Sequence, residues 1–151
     1  GDDVADRQYR AILDFDTASL PDDAVVTGVT LRIKRQGVTG TNPFNTHGYL
    51  LVDVRAGFFH DIQALERFDF QAAGSRGNVG RFIKTPEDGW WRAPLRARSY
   101  SLVNLTGTTQ FRLRFETDDN DDSGADFLSF YSGEAVNDAN RPELIVTYWV
   151  P

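Results

Sequence analysis

Hydrophobic and polar residues alternate along most of this chain, the period of strands with one buried face, because successive side chains of an extended backbone point to opposite sides. Tyr9, Ala11, Leu13 and Phe15 alternate with Arg10, Asp14 and Asp16, although Ile12 interrupts the polar side. Val29, Leu31 and Ile33 alternate with Thr30, Arg32 and Lys34. The cleanest case is Phe111, Leu113 and Phe115 against Gln110, Arg112, Arg114 and Glu116, and Leu144, Val146, Tyr148 and Val150 close the series. Shorter candidates are Tyr49–Arg55, Val79–Lys84, Trp90–Leu95 and Phe127–Ser132. About eight strands separated by turn chemistry predict an all-β fold, a jelly-roll-type β-sandwich of two antiparallel sheets. The predicted core holds Leu13, Phe15, Leu31, Ile33, Phe111, Leu113, Phe115, Leu144 and Val146.

The punctuation agrees with that reading. Ser19-Leu20-Pro21-Asp22-Asp23 predicts a turn, residues 37–48 a Gly/Thr/Asn-rich loop, and Pro86-Glu87-Asp88-Gly89 a tight reversal between strands. One short helical segment is predicted over Asp61–Arg67, with Asp61 as N-cap and Ile62 and Leu65 facing inward. No repeat, linker or low-complexity tract divides the chain, so residues 1–151 read as one domain. Its length suffices for a core without disulfides or metal staples.

Composition narrows the chemistry. With no cysteine, disulfides, thiolate nucleophiles and Cys-ligated zinc are excluded. No run of about 18 apolar residues is present, so no membrane-spanning helix is expected. The opening Gly1-Asp2-Asp3 points to a processed or excised piece of a longer chain. The net charge is −6, which argues against nucleic acid as a partner, since duplex binding draws on clustered Lys and Arg. Six of the 22 acids (Glu116, Asp118, Asp119, Asp121, Asp122 and Asp126) fall in one segment without a base; the rest of the chain then holds 16 acids against 16 bases. The net charge therefore sits in that segment.

Three constellations bear on function. A catalytic one is not evident: there is no Gly-x-Ser-x-Gly elbow, no phosphate-cradling glycine loop and no His-Glu-x-x-His, and the two histidines are His47 and His60. Asp14 and Asp16 share one face of a strand, where solvated acids are common. The second constellation is Trp90-Trp91-Arg92. Adjacent residues of a strand face opposite sides, so one indole is expected in the core and the other exposed, a sugar-stacking platform beside Arg92. A tryptophan that merely covers the sheet is the plainer alternative. The third is the acidic run, where Asp119, Asp121 and Ser123 precede Gly124 as in the opening of an EF-hand loop. Phe130 stands where that motif places its bidentate Glu, so a true EF-hand is excluded, and a looser calcium site is expected from Asp119, Asn120, Asp121, Asp122 and Asp126. Its alternative is a solvated hairpin tip. Asn104-Leu105-Thr106 matches the glycosylation triplet, a pattern frequent by chance.

Two stretches carry a resemblance to a family. Arg10-Ala11-Ile12-Leu13-Asp14-Phe15-Asp16, with Ser19-Leu20-Pro21 and Leu31-Arg32-Ile33 after it, and Phe130-Tyr131-Ser132-Gly133-Glu134 before Arg141-Pro142-Glu143-Leu144-Ile145-Val146-Thr147-Tyr148, resemble DNRLRE-type jelly-roll domains and related carbohydrate-binding modules of secreted bacterial proteins. The resemblance implies a non-catalytic accessory module, secreted or at the cell surface, beside other domains of a parent chain, with an extracellular glycan or cell-surface component as ligand in some relatives. Such domains usually carry a further strand or two before the first motif. The competing expectation is a structural or adhesive spacer with no small-molecule ligand.

Overall fold

The computed structural model describes residues 1–151, and its strands follow the alternation closely. Eight strands form: β1 (Ala11–Asp16), β2 (Val25–Thr39), β3 (Leu50–Ala56), β4 (Arg76–Arg81), β5 (Trp90–Pro94), β6 (Thr108–Phe115), β7 (Phe127–Phe130) and β8 (Glu143–Trp149). One sheet has the order β1-β6-β3-β4. In the other, β2 is central, with β5, β7 and β8 all paired to it. All pairings within the sheets are antiparallel. The chain crosses between sheets at every connection except β3–β4 and β7–β8, which gives an all-β sandwich whose two inner faces bury each other's apolar residues. No helix is long and apolar enough to cross a membrane.

Strand β2 runs well beyond the predicted Val29–Lys34. Val25–Arg32 pairs with β8 and Arg35–Thr39 with β7, and bulges at Val26/Gly28 and Arg35/Gly37 let one strand bend past both partners. The reversal before β5 places Asp88 and Gly89 at positive φ (51° and 77°) between the mutually hydrogen-bonded Glu87 and Trp90. Two left-handed central residues make a two-residue hairpin turn whose twist matches its strands, which is why Asp-Gly stands there.

Leu13, Leu31, Ile33, Phe111, Leu113 and Phe115 lie in the buried core, joined by Val52, Val54, Phe44 and Trp91. Phe15, Leu144 and Val146 are half-buried at its margin. The inward series in β8 does not persist: beyond the bulge, Tyr148 and Trp149 pair only with Val26 and Val25 at the frayed end of β2, and both aromatics are exposed.

The helix expected at Asp61–Arg67 does not form. The stretch is a series of bends, Ile62 and Leu65 are exposed, and a single 3-10 turn follows at Arg67–Phe70. Arg112 anchors the segment that follows: its Nη1 donates to the carbonyls of Asp69, Phe70 and Ala72 at 3.0, 3.3 and 2.7 Å. Within the stretch, His60 stands at φ 59° and Glu66 N–H is held by Asp69 Oδ2, a cap that starts the turn at Arg67 rather than at Asp61 and overrides a weak local propensity. The α-helical turn lies instead at Pro43–Thr46, where the Asn42 side chain caps Phe44 N–H and Pro43 takes the first position. Asn before Pro is a helix-start signal, although the segment reads as loop from its composition.

Candidate functional site

The two tryptophans fall on opposite faces of β5, as alternation requires, but neither is exposed: Trp90 is 8% and Trp91 1% accessible. Trp91 packs against Phe44 in the core, and its Nε1 donates to the Lys84 carbonyl. Trp90 points outward, yet Arg32 lies with its Cζ 4.3 Å from the ring centroid and Lys34 with its Nζ 5.1 Å away. Cations over an indole gain electrostatic attraction and remove the ring from solvent together. Arg32 is itself held by Glu143 at 2.7 Å and Arg92 by Glu87 at 2.9 Å. The expected platform at Trp90, Trp91 and Arg92 is therefore closed. The exposed tryptophan is Trp149, at the end of β8.

The acidic run forms a loop between β6 and β7, and the N-terminal residues lie along it. Asp2 is buried: its Oδ2 sits 3.0 Å from Nε2 of the buried His47 and accepts from Asn120 N–H, while its Oδ1 accepts from Asp126 N–H. Burial alone would raise the Asp2 pKa, but the hydrogen bond and charge of His47, with the two backbone N–H groups, hold it below the usual carboxylate value. Asp126 accepts from Thr41 N–H at 2.6 Å and from Asn120 Nδ2, Asp122 from Gly124 N–H and Asn120 Nδ2, and Asp118 from Gln8 Nε2. The remaining ligands named for calcium, Asp119 and Asp121, lie against each other; burial, then Asp121, raises the Asp119 pKa. No three His, Asp or Glu side chains converge to hold a metal ion. Most of these carboxylates are thus satisfied by N–H donors rather than turned to a common point, and Oδ1 of Asn120 is the one buried side-chain acceptor of the loop without a partner.

A second charged centre lies on the outer face of the first sheet. Asp53 is buried on β3, and its Oδ2 accepts from Arg112 Nη2 at 2.9 Å and Arg114 Nε at 3.0 Å, while Oδ1 accepts from Asn78 N–H. Burial opposes its ionisation, but Asn78 N–H and the two guanidinium groups hold its pKa below the usual range. With Arg112 reaching on to the carbonyls of Asp69, Phe70 and Ala72, this centre ties the 57–75 excursion to the sheet.

The third charged region was not evident from the sequence. At the crease where β4 meets β5, closed by the Gly80–Leu95 bridge and by Arg96 N–H to the Val79 carbonyl, an open groove of about 650 Å³ is lined by Tyr49, Arg81, Ile83, Lys84, Thr85 and Arg96. Arg81 Cζ lies 4.3 Å and Lys84 Nζ 4.7 Å from the Tyr49 ring centroid, and Lys84 Nζ donates to the Phe44 carbonyl at 2.9 Å. Arg96 and Arg98 share the carbonyl of Asn78, at 3.1 and 3.4 Å, and Arg76 donates to the carbonyl of Arg98. The available signal was local: residues 76–98 hold six bases against Glu87 and Asp88, an excess that the even balance outside the acidic run conceals.

Comparison with family models, curated proteins and solved structures finds no match.

Proposed function

We propose that this domain is a non-catalytic accessory module of a secreted or cell-surface protein, and that it holds an extracellular polysaccharide in the crease between β4 and β5. The supporting observation is the groove itself: open, predominantly polar, walled by long donor side chains and floored by rigid sheet. Sugar polymers present hydroxyl groups along their whole length, so an open cleft with oriented donors can hold a run of them where a deep closed pocket could not. The histidines support a binding role over a catalytic one. His47 is buried on Asp2, and His60 stacks on Phe68 with Asp61 and Glu66 at its nitrogens. Asp53, the most deeply set acid of the first sheet, is occupied by two arginines. The test is retention of the domain in affinity gels containing a panel of soluble polysaccharides. Retardation by at least one, lost on Arg81→Ala/Lys84→Ala with the melting temperature kept, supports the reading; migration unchanged in every gel overturns it.

The burial of both Trp90 and Trp91 favours a second reading, a spacer domain whose acidic loop takes up calcium. The unpartnered Asn120 Oδ1 beside Asp122 and Asp126 is the observation behind it. A ligand that binds only the folded state raises stability by mass action, about 2.7 kcal/mol at a hundredfold excess over its dissociation constant. A melting temperature that rises in calcium, falls with a chelator and loses both responses in Asp121→Ala supports the spacer. Identical melts leave the loop a solvated hairpin tip.

A further inference from the structure

Resting on the proposal that the crease binds a glycan, we infer that its ligand is a linear acidic polysaccharide, whose carboxylate or sulfate groups are met in turn by Lys84, Arg81, Arg96, Arg98 and Arg76. These five side chains are exposed, and none takes part in any ion pair of the molecule. Of the eleven other bases, Arg7, Arg32, Arg92, Arg112, Arg114 and Arg141 pair with carboxylates, while Arg10, Lys34, Arg35, Arg55 and Arg67 do not. What is specific, in a chain of net charge −6 with 22 acids available, is that five unpaired cations gather along one crease.

The strip is also ordered. Tyr49 holds Arg81 and Lys84 by its ring, and the Phe44 carbonyl fixes Lys84 further. Arg96 and Arg98 meet on the single carbonyl of Asn78, a residue at φ 48°, in the left-handed region. Bringing two guanidinium groups to one acceptor costs mutual repulsion, which a bound anion relieves, and a planar fork with donors to spare suits carboxylate or sulfate. Basic residues on a strand edge also serve to prevent edge-to-edge pairing. Part of that role is already filled, because the Gly80–Leu95 bridge and the bond from Arg96 N–H to the Val79 carbonyl cover the edge of β4 at residues 79–80. Solubility does not explain the strip either, since the surplus charge of the domain is negative.

A periodic polyanion fits a strip better than a small anion fits any one point on it. The alternative polyanion, nucleic acid, is less favoured, because the one aromatic ring of the groove, Tyr49, is engaged by Arg81 and Lys84 and offers no free face for a base to stack on.

The experiment runs the intact domain through affinity gels containing polygalacturonate, dextran sulfate, neutral dextran, neutral xylan or duplex DNA, and then titrates whichever probe retards it. Retardation by polygalacturonate, dextran sulfate or both, without retardation by the neutral polymers, is expected. Which of the two is bound identifies the anionic group. Affinity should fall roughly tenfold or more as salt rises from about 50 to about 200 mM, because each neutralised charge releases a counterion. It should also fall roughly tenfold or more in Arg81→Glu and in Arg96→Glu, with melting temperatures within about 2 °C of the parent, since both side chains are exposed. Equal retention by neutral polymers, unchanged in Arg81→Glu, overturns the acidic-ligand inference and leaves glycan binding standing. Binding of DNA as tight as that of the acidic glycans overturns it in favour of a nucleic-acid partner. Retention by no probe overturns both.

Discussion

The acidic loop at residues 118–126 and the basic strip on β4 and β5 are both dense in one sign of charge, yet the chain treats them differently. In the loop, Asp118, Asp122 and Asp126, with Asp2 from the N-terminal segment, accept from Gln8, Gly124, Thr41, Asn120 and further backbone N–H groups. The charge is absorbed by local donors, and the loop gains its shape from them. In the strip the cations are spread by carbonyls and one aromatic ring, and none forms an ion pair. A run of like charge along the sequence is thus a weak sign of a site, and like charges gathered by tertiary structure without neutralisation a stronger one.

The Asp53 centre supplies the scale for this contrast, because there a buried carboxylate meets the buried Arg112 and the half-buried Arg114 directly. Asp53→Ala leaves Arg112 and Arg114 without their anion and should lower stability by about 3–5 kcal/mol in chemical denaturation. The same centre sets an acid limb. The folded pKa of Asp53 is lowered below its ordinary 3.8, so its contribution is complete above that value and drains away as pH falls below it. Asp119 has the opposite sign: its raised pKa means ionisation opposes folding, an effect relieved as pH falls through the raised value. A stability–pH curve for Asp53→Asn should therefore lose much of the acid fall seen in the parent, and an unchanged fall would show that other carboxylates control it.

Within the loop the expected effects divide by burial. Asp126→Ala leaves Thr41 N–H without its acceptor and should cost about 1–3 kcal/mol, read as a fall in melting temperature. Asp121→Ala removes an exposed carboxylate lying against Asp119 and, without added metal, should change stability by no more than about 0.5 kcal/mol. A large loss there would mean that the loop depends on a cation its donors do not reveal. In the strip, Arg81→Ala should have the smallest effect on stability, below about 0.5 kcal/mol, while weakening polysaccharide retention. Should stability and retention fall together, the strip is a structural element and the contrast with the loop disappears.

Much of this fold is legible in the sequence because period-two alternation reports directly on a half-buried sheet. Phe111–Phe115 and Val29–Ile33 became strands with their apolar residues inward, and Asp88-Gly89 became a reversal for its backbone preference alone. What was not legible depends on residues far apart in the chain. Nothing near Asp61–Arg67 announces that Arg112 will claim the carbonyls just beyond it, and nothing beside Trp90 announces that Arg32 and Lys34, on the partner strand, will roof it. The pairing of Asp2 with His47 and the assembly of the basic strip are likewise products of topology, the latter of one corner where the two sheets touch.

That corner has a mechanical consequence. Backbone hydrogen bonds join the sheets along β4 and β5, whereas β1 pairs only with β6 and β8 only with β2, leaving the opposite margin held by side-chain packing. The sandwich is bound like a book, with its spine at the crease and its loose pages at β1 and β8. Thermal opening should begin at the loose margin, so amide protons there should exchange with solvent before those of Val79, Arg96 and their neighbours. A polymer lying along the spine rests on the part of the domain that moves least, and would keep its grip while the far side breathes.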